Sequence, residues 1–175
     1  MRYLLTIMDQ TNRSLWSLEN VMHCVPSDDW DREYCGMPFY KHIYHTLHSL
    51  DRWYINPECY QEPGFHMEGL NSLDTITHMV LDREALFAYA GEVFRKIRGY
   101  LGDLKEEDLL SAPPGCPHTR FHLILAQHRH LDMHIGMLMG FLIRDTGKWP
   151  AVMGLEHTEH DFSQDFPFYD AKDGQ

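Results

Sequence analysis

Apolar residues that recur every three, four or seven positions, with prolines and glycines at the breaks, constrain this chain more than any other feature. They call for long helices and leave little room for a sheet. Leu4, Met8, Leu15, Leu18, Met22 and Val25 form one such stripe, which predicts a helix over residues 4–25 that ends before Pro26. Pro38 suits the first position of a second helix over residues 39–56, which Pro57 stops. Residues 57–81 hold prolines and glycines without a sustained period and read as a long loop of the kind that walls a binding site. Asp82 can cap a third helix, in which Leu86, Ala90, Val93, Ile97 and Tyr100 keep the three-four spacing down to Gly102. After the breaker around Pro113, Pro114 and Pro117, a fourth helix is expected from about Thr119 to Thr146, with Gly147 just past its end. No β-alternation competes. The pattern predicts an all-α four-helix bundle over residues 1–155, a long loop between helices two and three, and an irregular tail over 156–175.

Charge narrows the partners. Among 175 residues, 26 Asp and Glu stand against 15 Lys and Arg, a formal net charge of −11. Nucleic-acid backbones and anionic membranes need clustered cations, so neither is expected as a partner. The longest apolar run, residues 135–143, is far short of the roughly 20 residues a membrane span requires. The first residues lack the pattern of a signal peptide, and a cytoplasmic location is expected. Cys24, Cys35, Cys59 and Cys116 form no Cys-x-x-Cys pair and read as reduced thiols.

Histidine carries the chemical information. Of 13 histidines, eight fall in two windows: His42, His45 and His48 on helix two, and His118, His122, His128, His130 and His134 around helix four. His130 and His134 are one turn apart on a face that also carries Leu123, Gln127, Leu138 and Phe141. Two imidazoles so placed can share a metal ion, and a third ligand is expected from helix two. There the helical wheel places His42 at the edge of the apolar stripe of Phe39, Ile43, Leu47, Leu50 and Tyr54, and His45 far round with Lys41, Ser49 and Arg52. Amphipathicity alone therefore favours His42. Paired Glu-x-x-His motifs, His-Glu-x-x-His, and the glycine-rich phosphate and dinucleotide loops are all absent. The segment 156–161, Glu-His-Thr-Glu-His-Asp, reads as a solvated polar stretch.

At these residues the chain resembles the DinB/YfiT-like superfamily of four-helix-bundle metalloenzymes. The resemblance rests on residues 38–53, on residues 127–138, and on Thr146-Gly-Lys-Trp-Pro150. The last-helix pattern Arg-His-x-x-x-His-x-Gly-x-Leu is matched by Arg129, His130, His134, Gly136 and Leu138. The helix-two pattern His-x-Leu-x-x-Leu-Asp selects His45, through Leu47, Leu50 and Asp51, against the wheel. Where the family often has a histidine just before the last ligand, this chain has Met133. The resemblance implies a divalent ion, zinc or nickel foremost and iron(II) as a further choice, on His45, His130 and His134, with Gln127 and Asp51 as accessory groups. It further implies a homodimer and a small-molecule substrate, handled by a hydrolase or by a transferase using a low-molecular-weight thiol as co-substrate. A non-catalytic metal-binding module for stress response is the alternative.

Overall fold

A computed structural model describes residues 3–157, 168 and 169. Four long helices dominate: α1 (Tyr3–Cys24), α2 (Phe39–Trp53), α3 (Arg83–Asp103) and α4 (Arg120–Thr146). α1 and α2 each pack on both α3 and α4. Leu15, Leu18 and Met22 of α1, Ile43, Leu47 and Leu50 of α2, Val93 and Ile97 of α3, and Ile124, Leu131 and Leu138 of α4 close one core. The chain is thus a mostly helical bundle. No helix among the described residues is long and apolar enough to cross a membrane.

The caps explain the boundaries. The Asp82 carboxylate accepts from the Ala85 amide at 2.7 Å, and Thr119 Oγ1 accepts from the His122 amide at 3.2 Å, so each satisfies an orphan donor of a first turn. Gly147 adopts φ 69° and closes α4 with its amide on the Ile143 carbonyl, a left-handed conformation that glycine tolerates best. Arg83 ties two helices together. Its guanidinium donates to the carbonyls of Met22, His23 and Val25 at 2.7–3.0 Å, where the last carbonyls of α1 lack intrahelical partners. Replacing Arg83 by Met keeps the stem and removes all three bonds, and is expected to destabilise the fold by about 2 kcal/mol, roughly 4–8 °C in Tm, in a thermal melt.

One feature departs from the sequence expectation, and a second refines it. The connection after α1 holds a short antiparallel hairpin, β1 (Glu33–Tyr34) and β2 (Met37–Pro38), with Tyr34 paired to Met37. Its two turn residues, Cys35 and Gly36, have φ of 54° and 79°, as a tight two-residue turn requires. Strands of two residues are too short to show alternation, which is why the pattern missed them. The refinement concerns residues 57–81, which form the expected long loop and lie along α2 as a strap: Tyr40 OH donates to the Met79 carbonyl at 3.0 Å, and Lys41 Nζ donates to the Thr75 carbonyl and, at 3.4 Å, to Thr77 Oγ1. Leu70 plugs the strap into the core, fully buried. The polar side of α2 is therefore covered, and Lys41 is only 1 % exposed.

Candidate metal centre

His45, His130 and His134 come together between α2 and α4. One ring nitrogen of each lies within 4.8 Å of the other two. Ring centroids are 4.7 Å apart for His45–His134, 5.3 Å for His45–His130 and 4.4 Å for His130–His134. Two ligands sit one turn apart on α4, and the third reaches across from α2.

His45 Nδ1 lies 2.7 Å from the Asn71 carbonyl. A carbonyl only accepts, so Nδ1 carries the hydrogen and Nε2 is left with its lone pair, the usual way an outer hydrogen bond fixes a ligating tautomer. Burial, reinforced by His45 and Arg129, pushes His130 down to about 4. Burial, reinforced by His130, His45 and His42, pushes His134 down to about 3. Both rings are neutral at physiological pH.

The pair on α4 is the fit test for an ion. His130 Nε2 and His134 Nε2 stand 3.1 Å apart, close to the ~3.3 Å that two imidazoles on one tetrahedral zinc would show with Zn–N bonds of about 2.0–2.1 Å. Nδ1 of each ring is buried without a partner among the described residues, so the two Nε2 atoms, which face each other, are the ones placed to ligate. Three imidazoles on one point fit a divalent ion of the zinc, nickel or iron(II) type.

A separate cavity of about 250 Å³ is lined in part by Ser49 and Gln127, which lie one turn along α2 from His45 and one turn before His130 on α4; none of the three histidines lines it. Trp53, His118, His122 and Leu123 complete its walls. Gln127 is 6 % exposed, and its Oε1 accepts from Ser49 Oγ at 3.2 Å, which turns its amide NH₂ away from Ser49.

The other candidates lie elsewhere. Asp51, expected as an accessory group, is engaged on the α3 side: Tyr89 OH donates to it at 3.1 Å and Lys96 forms an ion pair with it. It follows His45 by six positions and so points around the helix from it. His42, the choice of the wheel, is buried with Nε2 on the Tyr34 carbonyl at 2.8 Å and its ring edge against Phe141. His48 binds Glu62 at 2.8 Å, and His128 binds Thr11 Oγ1 at 2.8 Å. Met133 is 61 % exposed, so a histidine there would face solvent. Phe141 and Tyr100 pack against the chain's own core. All four cysteines are free, Cys24 and Cys116 buried, Cys35 and Cys59 exposed. In the tail, His157 Nδ1 accepts from the Gly154 amide at 3.0 Å, while residues 158–161 lie outside the described residues. Two groups were missed from the sequence. Asn71 acts through its backbone carbonyl, which leaves no signature; Glu62 and His66, an i,i+4 pair in the strap, had a signal that the lack of helical period concealed.

No family model matches the chain, and neither a curated protein nor a solved structure matches it.

Proposed function

We propose that His45, His130 and His134 hold a divalent metal ion, and that the chain is a metal-dependent enzyme of the DinB/YfiT-like kind, a hydrolase or a low-molecular-weight-thiol transferase. The observation that carries this is the convergence of three imidazoles from two helices, one helical turn from a cavity of about 250 Å³. When bound, such an ion supplies Lewis acidity and, with three protein ligands, open positions where a water or thiol becomes more acidic. The chain's own groups do the rest. Asn71 fixes the His45 tautomer, Trp53 and Leu123 give the cavity an apolar wall that excludes water, and the Gln127 amide is available to orient a substrate acceptor. The charge of −11 sets the molecule against nucleic acid and anionic membranes as partners. The homodimer implied by the family resemblance is read directly from the mass in solution.

The test is turnover. Metal-loaded protein is offered a panel of esters and amides, and separately electrophiles with bacillithiol, mycothiol or glutathione. Activity on either arm that disappears on chelation supports the enzyme and identifies which class it is. Metal binding with silence on both arms favours the non-catalytic module. For the active class, Trp53→Ala is expected to raise KM about tenfold with a smaller change in kcat, because it strips a wall from the cavity without touching the ligands.

A further inference from the structure

One turn along α2 from His45, the strap closes over a second group of ligating side chains. His48 is 3 % exposed, and its Nε2 lies 2.8 Å from Glu62 Oε2. His66 Nδ1 is 3.6 Å from the same oxygen. One ligating atom from each of the three residues lies within 4.8 Å of the other two. We propose that His48, Glu62 and His66 form a second divalent-cation site, separate from the triad between α2 and α4, whose ion staples the strap to α2.

The donor set suits this role. Two imidazoles and one carboxylate select zinc, cobalt(II) or iron(II) over the oxygen-seeking calcium and magnesium. Tyr44 OH and His66 Nδ1 lie 2.7 Å apart, and in the Nε2–H tautomer of His66 the hydroxyl donates and Nδ1 offers a lone pair. Glu62 Oε2 accepts from His48 Nε2 at 2.8 Å and from Tyr60 OH at 3.0 Å. The 3.6 Å between His66 Nδ1 and Glu62 Oε2 is too long for a hydrogen bond, while three ligating atoms within 4.8 Å of one another are close enough to share one cation. Ligation asks only that the Tyr44 hydroxyl rotate away and that His48 release its Nε2 hydrogen or carry it on Nδ1, the proton movement that accompanies metal binding to histidine.

The placement gives such an ion a consequence. Glu62 and His66 lie a few residues before Asn71, the residue whose carbonyl orients His45. An ion here would order the segment on which that orientation depends. The proposal stands on its own ligands and does not require the first site.

The experiment measures zinc bound per metal-stripped full-length chain after desalting, in the natural sequence and in His66→Ala, Glu62→Gln and His130→Ala. Loss of one zinc ion per chain is expected in each strap variant, and again when either is combined with His130→Ala. Zinc content unchanged by both strap variants overturns the proposal, as does content that falls only in His130→Ala. Should a strap variant fail to fold, cobalt(II) is added to His130→Ala alone, whose strap ligands are intact. A ligand-field absorption band that saturates at one equivalent supports the site, and its absence overturns it. Failure of the triad would show instead as zinc retained in full by His130→Ala.

Discussion

Replacing His134 by leucine is expected to weaken zinc binding at the triad more than 100-fold, above 2.7 kcal/mol. Losing an outer hydrogen-bond partner already lowers metal affinity by about 10–100-fold, and here a ligand itself is removed. The metal-free proteins should differ far less. Leucine forfeits the 3.1 Å contact with His130, but it also removes a buried Nδ1 that has no partner, so unfolding free energies without metal are expected to agree within about 1 kcal/mol. Adding zinc at a hundred times its dissociation constant then raises the natural sequence by about 2.7 kcal/mol over the variant. Calorimetry and denaturant melts with and without zinc read both quantities. Equal zinc stabilisation of the two proteins would show that His134 is a core residue and not a ligand.

Acid should unfold the metal-free protein early and steeply. Burial is the leading cause that lowers His42, His128, His130 and His134. In the unfolded chain each titrates near 6.5. Below that pH the unfolded chain binds protons that the folded one refuses, so stability is complete above about pH 6.5 and falls as pH drops toward the folded values, about 4 for His130 and about 3 for His134. One such group gives a limiting slope of about 1.4 kcal/mol per pH unit, and His130 and His134 together roughly 3. By about pH 4 these two remove roughly 6 kcal/mol, comparable with a typical domain stability of about 5–15 kcal/mol. Carboxylates held low by ion pairs, Asp145 among Arg144, Tyr34 and Arg32, extend the loss at still lower pH. Urea midpoints measured from pH 7.5 to 4.5 check this; a flat profile between 7 and 5 would mean that these imidazoles are hydrated in the folded protein.

Most of the fold was legible because its helices begin and end by local chemistry. Asp82, Thr119 and Gly147 act as caps where the sequence puts them. The hairpin was not legible, since two-residue strands carry no period. The site divided in the same way. His130 and His134 share a face by helical geometry alone, whereas the choice between His42 and His45 turned on what covers α2. A wheel assumes that polar residues meet water. Here Lys41, His45 and His48 meet backbone carbonyls and a carboxylate of the strap, so the polar face is interior and the assumption inverts. Asp51 failed for the related reason that Tyr89 and Lys96 of α3 engage it, contacts that only tertiary packing creates.

The ligands of the triad are far apart along the chain: some 85 residues separate His45 from His130. At a translation rate of about 5–20 residues per second, α4 leaves the ribosome roughly 4–17 s after α2. During that interval His45 is present without its partners, and no triad exists. An ion on the triad would be captured only at the end of synthesis, after α4 has docked, whereas His48, Glu62 and His66 emerge almost together. The two clusters of one polypeptide become available in a fixed order, the strap first and the triad last.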